Sequence, residues 1–175
     1  MSENTICLTD YIRDVPDFPK KGILFKDITP LLSDRDALAG AIDALTVPFA
    51  KAGIQHVAAV EARGFIFGSA VAKALNAGFI PVRKPGKLPY KTDSVTYELE
   101  YGSDTVEVHS DSIKPGEKVL MVDDLLATGG TMAAACKLME KLGAEIHALT
   151  FLIELASLGG REKLQGYDIH SVITY

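Results

Sequence analysis

From residue 56 onward, short apolar runs alternate with stretches of helical periodicity. His-Val-Ala-Ala-Val (56–60), Phe-Ile-Pro-Val-Arg (79–83), Lys-Val-Leu-Met-Val (118–122) and residues 146–153 have the length and β-branched content of buried strands. Residues 65–76 and about 131–142 read as helices between them, with Gly78 and Gly143 as C-terminal stops. In the second helix Ala135, Leu138, Met139 and Leu142 form one buried stripe. Strand and helix in rotation predict an α/β fold, a mostly parallel twisted sheet flanked by helices.

Two other patterns interrupt that rotation. Residues 94–101 alternate strictly, with Val95, Tyr97, Leu99 and Tyr101 on one face and Thr96, Glu98 and Glu100 on the other. A second alternating run, Thr-Val-Glu-Val-His (105–109), follows a Gly-Ser-Asp turn, which predicts an antiparallel hairpin attached to the main sheet. Toward the N-terminus, residues 8–13 read as a helix. Val-Pro-Asp-Phe-Pro-Lys-Lys-Gly (15–22) reads as irregular because of its two prolines and glycine. Residues 34–52 carry Leu38, Ile42 and Leu45 on one helical face, with Pro48 as a break.

Composition narrows the picture. The 175 residues, 47% hydrophobic and without repeat or linker, suit a single domain over 1–175. A net charge of -5 argues against a general nucleic-acid binder. Cys7 and Cys136 lie far apart and lack metal-ligating neighbours, so neither a disulfide framework nor a thiolate metal site is expected. His56, His109, His147 and His170 form no ligand-spaced pair. Neither a signal peptide nor an apolar run of bilayer length is evident, so a cytoplasmic protein without a membrane partner is expected.

The chemistry concentrates in Lys118-Val-Leu-Met-Val-Asp-Asp-Leu-Leu-Ala-Thr-Gly-Gly-Thr131, a buried strand ending in two carboxylates and a glycine- and threonine-rich loop that opens a helix. Ligands of open parallel sheets bind at the carboxyl ends of strands. Gly129 and Gly130 allow the backbone to approach a phosphate. Their amides, the hydroxyls of Thr128 and Thr131, and the helix N-terminus can all donate to it. The loop lacks the Gly-Lys-Ser/Thr ending of a nucleoside-triphosphate P-loop. Asp123 and Asp124 would repel a phosphate but suit sugar hydroxyls or a hydrated magnesium ion; capping the next turn is the structural alternative. Glu61-Ala-Arg-Gly follows the first buried strand, so Arg63 can hold anionic oxygens or stand as a solvated residue at a helix start. Arg83, Lys84, Lys87 and Lys91 form a basic cluster, either a solvated loop or a polyphosphate contact.

The stretch from 118 to 131 resembles the phosphoribosyl-pyrophosphate signature of type I phosphoribosyltransferases, and the likeness extends over nearly the whole chain. Residues 18–28 (Phe-Pro-Lys-Lys-Gly-Ile-Leu-Phe-Lys-Asp-Ile) look like the base-binding segment of adenine phosphoribosyltransferases. Glu61-Ala-Arg-Gly-Phe65 looks like their pyrophosphate loop, Gly86-Lys-Leu-Pro89 their flexible loop, and Leu99-Glu-Tyr-Gly102 its closing strand. Gly160-Arg-Glu-Lys-Leu164 is also similar, and Lys26 stands where some relatives carry arginine.

The resemblance implies a small N-terminal hood over about 1–30 and a flexible antiparallel lid over about 85–103. It implies transfer of phosphoribosyl from phosphoribosyl pyrophosphate to N9 of adenine, giving AMP and pyrophosphate, with Mg²⁺ held mainly by substrate and water and the enzyme a homodimer. On it, Asp123, Asp124, Ala127, Thr128, Gly129, Gly130 and Thr131 bind the phosphoribosyl group. Arg63, Lys84 and Lys87 bind pyrophosphate. Leu24, Phe25, Lys26 and Leu125 meet adenine, and Glu100 is the catalytic carboxylate. Alternation alone does not separate Glu100 from Glu98. Two rivals are an enzyme for another purine base and a regulator that only senses the ligand.

Overall fold

A computed structural model describes residues 6–98 and 102–175. The chain divides into two compact units, Met1–Ala44 and Leu45–Tyr175.

In the first unit a 3-10 turn, Leu8–Tyr11, leads into strand β1 (Arg13–Pro16), which pairs antiparallel with β2 (Leu24–Asp27). The helix expected over 8–13 is thus one short turn, and part of the irregular stretch is a strand. Pro16 is tolerated because it ends an edge strand, opposite Leu24, where the missing N–H breaks no ladder. The turn is closed by Asp17, whose carboxylate accepts the Gly22 amide at 2.7 Å. Helix α1 (Thr29–Ser33) carries proline in its first turn, where no N–H is needed. Helix α2 (Arg35–Thr46) follows, and the break expected at Pro48 falls in a 3-10 turn, Val47–Phe49.

The second unit is built on five strands: β3 (His56–Val60), β4 (Gly78–Val82), β7 (Lys118–Leu126), β8 (Glu145–Glu154) and β9 (Ile169–Thr174). Their order is β4-β3-β7-β8-β9 and every neighbouring pair is parallel. Val57, Ala58, Ala59, Leu120, Met121 and Val122 are fully buried, which explains their continuous rather than alternating apolarity. Helices α3 (Gly64–Leu75) and α4 (Gly130–Lys141) cross over between strands. The chain steps outward from β3 to β4 and returns to β7 on the other side of β3. The crevice between the ends of β3 and β7 is therefore the topological switch point, where open α/β sheets hold ligands.

Helix α3 stops at Asn76, left-handed at φ 55, rather than at Gly78. Gly78 instead opens β4 directly opposite His56, and a β-carbon there would lie 2.8 Å from His56 Nδ1. The expected hairpin forms from β5 (Thr92–Glu98) and β6 (Ser103–His109) as its own two-stranded sheet. Among the described residues it is bridged to the main sheet between Arg83 and Glu107, beyond the end of β4. Val106 and Val108 are buried in the same core as Met132, Ala135 and Leu138 of α4. Strand β9 and the 3-10 turns over 156–164 were not evident from the pattern; β9 is short and only partly buried.

Candidate active site

The aspartates do not end the strand. β7 continues through Asp123 and Asp124 to Leu126, with Asp123 opposite Phe151 and Leu126 opposite Glu154. The ladder to β8 therefore pins the backbone of both carboxylates. Asp123 turns inward: its Oδ1 accepts the Asp124 amide at 2.9 Å, and a β-carbon on Gly64 would lie 2.6 Å from it. Burial, reinforced by the neighbouring charge of Asp124, pushes its carboxyl well above the usual carboxylate range. Asp124, 5% exposed, is raised by burial too, but an Arg63 guanidinium nitrogen 2.8 Å away opposes that rise. Burial thus raises both adjacent carboxyls at this crevice, and the direct Arg63 contact sets Asp124 apart from Asp123.

Beyond β7 the loop over 127–129 runs into α4 with Gly129 left-handed at φ 76. Gly160 sits hard against this loop, so that a β-carbon on either Gly129 or Gly160 would collide with backbone carbonyl oxygen. Gly160 in turn is held by its neighbour Arg161, whose guanidinium makes two 2.7 Å bonds to Glu154 at the end of β8. Arg161 holds the Glu154 carboxyl below its ordinary range. The resemblance over residues 160–164 thus has a physical basis: this segment buttresses the phosphate-type loop.

A cleft of about 310 Å³ is lined by residues 60–63, Lys84 and residues 123–132. Arg63, Lys84, Asp123, Asp124, Leu125, Ala127, Thr128, Gly129, Gly130 and Thr131, separated in sequence, share this one concavity. Each cation assigned to an anionic ligand already faces a carboxylate: Arg63 to Asp124, Lys84 to Asp104, and Lys87 to Glu61 at 4.0 Å. Such pairs keep cations oriented at modest cost when exposed. Burial would raise Glu61, but bonds from the Lys84 amide and the Arg83 guanidinium outweigh it and lower its pKa. In the sequence Glu61 figures only as the first residue of its motif and Asp104 only in a turn, because pairing with a cation far along the chain leaves no periodic signal.

The remaining assignments divide. Leu24, Phe25 and Lys26 lie on β2 of the first unit, where Phe25 meets Phe18 edge to face at 5.1 Å and Lys26 bonds Asp14 at 2.6 Å. Leu24 is 49% exposed. Glu100, with Leu99 and Tyr101, lies outside the described residues. Glu98 is exposed, opposite Ser103. Among the described residues no three His, Cys, Asp or Glu side chains gather as a metal cage, and no helix is long and apolar enough to cross a membrane.

Residues 28–172 match the family model of the phosphoribosyl transferase domain. The adenine phosphoribosyltransferase of Halothermothrix orenii is 57% identical over 166 residues, which cover 95% of this chain and 98% of the relative. The crystal structure of the adenine phosphoribosyltransferase from Thermoanaerobacter pseudethanolicus is similar with a TM-score of 0.92 and 52% identity, covering 96% of this chain and 98% of that one. The Saccharomyces cerevisiae enzyme, solved with an imino-altritol bisphosphate and adenine, gives a TM-score of 0.89 and 40% identity, covering 94% and 96%.

Proposed function

The chain belongs to the phosphoribosyltransferase family and, within it, to the adenine phosphoribosyltransferases, and from that membership we propose that it transfers the 5-phosphoribosyl group of phosphoribosyl pyrophosphate to N9 of adenine, giving AMP and pyrophosphate. The convergence of the β3 and β7 loops in one cleft carries this proposal. A substrate with phosphate at one end and pyrophosphate at the other needs two anion-binding loops, with hydroxyl acceptors between them.

The backbone from Ala127 to Gly130, with Thr128 and Thr131, holds the 5′-phosphate. Binding energy remote from the reacting carbon is thereby used to position it. Asp123 and Asp124 accept the ribose hydroxyls and lend negative potential beneath a ribose ring that becomes cationic as its bond to pyrophosphate breaks. Arg63, Lys84 and Lys87 exchange their carboxylate partners for pyrophosphate oxygens. Magnesium on those oxygens would add charge neutralisation of the leaving group. The pair of carboxyls at the crevice would fit such an ion through its bound water.

Glu100 manages the purine proton, worth about 10²–10⁴-fold for a positioned acid or base. Phe25 stacks on adenine, Leu24 and Lys26 read its edge through the backbone, and Leu125 adds an apolar contact, all by family likeness. Residues 85–103 act as a lid that excludes water. Cytoplasmic location, assembly as a homodimer, and function of both units as one domain complete the proposal. The last is supported by relatives matched along 95% of the chain.

Incubation with phosphoribosyl pyrophosphate, Mg²⁺ and each purine base in turn tests the reading. AMP formed from adenine far faster than nucleotide from hypoxanthine, guanine or xanthine is the expected result. Faster turnover of a 6-oxopurine would overturn the choice of base, and no turnover of any base would overturn the reaction.

A further inference from the structure

The register of the hairpin sets Tyr97 on β5 directly opposite Asp104 on β6. Their side chains meet across the strands, the phenol donating its proton to Asp104 Oδ2 at 3.2 Å. The same carboxylate oxygen takes the Lys84 ammonium. On its other side the phenol oxygen stands 3.0 Å from the Thr131 hydroxyl. A phenol carries one proton, and an ionised carboxylate has none to give. With that proton committed to Asp104, Thr131 is the donor and the phenol oxygen the acceptor. Threonine also has a single hydroxyl proton, so Thr131 spends it on Tyr97 and not on an anion at the loop.

One cross-strand pair therefore engages a donor from each anion-binding segment of the cleft. Thr131 comes from the loop after β7, and Lys84 from the segment after β4. We propose that Tyr97 and Asp104 form a self-inhibitory clasp, an internal stand-in that the 5′-phosphate displaces at Thr131 and pyrophosphate displaces at Lys84. This rests on the reading of the cleft as a phosphoribosyl site. Charged phosphate oxygens accept hydrogen bonds more strongly than a neutral phenol, so the substrate wins the exchange. The clasp lowers affinity for both ends of the substrate without touching either.

Equilibrium titration of the whole chain with AMP reads the Thr131 end without turnover. Tyr97→Phe keeps the ring, which packs against Gly130, and removes the phenol alone. Thr131 then gives up only water for the phosphate. AMP affinity should rise about twofold to tenfold, the net range of one hydrogen bond. In a Thr131→Val background the same change should leave AMP affinity as it was, because the phenol acts only through that hydroxyl. Titration with pyrophosphate reads the Lys84 end. Asp104→Asn removes the carboxylate charge, and pyrophosphate affinity should rise about twofold to fivefold, the range of a partly exposed ion pair. In a Lys84→Met background that gain should vanish, whereas a general loss of negative charge near the cleft would act with or without the lysine. Tyr167→Phe, which removes a phenol bonded to Glu140 at 2.7 Å on the far part of α4, should bind AMP like the wild type.

Unchanged or weaker AMP binding by Tyr97→Phe overturns the clasp, as does a gain that persists without the Thr131 hydroxyl. A pyrophosphate gain in Asp104→Asn that survives the loss of Lys84 overturns it equally. Wild-type chain that binds neither AMP nor pyrophosphate instead overturns the phosphoribosyl reading, and the clasp with it.

Discussion

The carbonyl of Gly160 occupies the space that a β-carbon on Gly129 would need. Gly129 also has φ 76, so two independent constraints, conformation and contact, exclude a side chain there. Gly129→Ala should destabilise the protein by about 1–3 kcal/mol and abolish detectable transfer. Gly160→Ala strikes the same loop from the other side, pressing on the Ala127 carbonyl and on Leu126. A raised KM for phosphoribosyl pyrophosphate with an unchanged KM for adenine, read by steady-state kinetics, would bear this out.

Arg161 and Glu154 form the second support of that loop. Arg161→Ala leaves the Glu154 carboxylate, only 7% exposed, without its partner. The arginine is half exposed, so solvent screening limits the loss to about 1–2 kcal/mol. Replacing Glu154 with Gln in the same chain should restore part of it. Thermal melts of the two variants would show no such recovery if the pair contributes nothing.

Asp123 is expected to trade stability for function. Its carboxyl is raised in the folded state, so it binds protons more readily folded than unfolded. The fold is therefore favoured at acid pH, below the ordinary carboxylate value, and loses that advantage as pH rises through the raised value. Asp123→Asn keeps an acceptor for the Asp124 amide without the charge. It should melt higher than the wild type at neutral pH, with the gap closing near pH ~4. Its activity should be strongly reduced.

Sequence alternation over 94–101 predicts Glu100 on the same face as Glu98. The proposed mechanism assigns the proton to Glu100, so Glu100→Gln should lower kcat about 10²-fold or more. Glu98→Gln, altering an exposed side chain, should leave kcat within about twofold. A larger loss at Glu98 would reverse the assignment.

Phe25 is the proposed stacking surface for the base. Removing its ring with Phe25→Ala should raise the KM for adenine about tenfold, since stacking on an aromatic ring is worth roughly 1–3 kcal/mol per base. The KM for phosphoribosyl pyrophosphate should change little.

The sequence by itself determined the strands over 56–60 and 118–122, because a strand buried on both faces must be apolar throughout, and its short apolar run marked the half-buried edge strand near 79–83. It also determined the glycine- and threonine-rich loop over 127–131 and its partner at 61–64, because chemistry of that kind is local. Tertiary structure decided what depends on residues far apart in the chain. The pairing of Arg13–Pro16 with Leu24–Asp27 overrode two prolines that locally signal disorder of the backbone. The ladder to β8 carried the strand past Asp123 and Asp124. Contact alone set Gly160 against Gly129, Asp104 beside Lys84, and Tyr97 onto Thr131. Close approach and charge pairing leave no period in a sequence: they depend on which surfaces the folded sheet brings together.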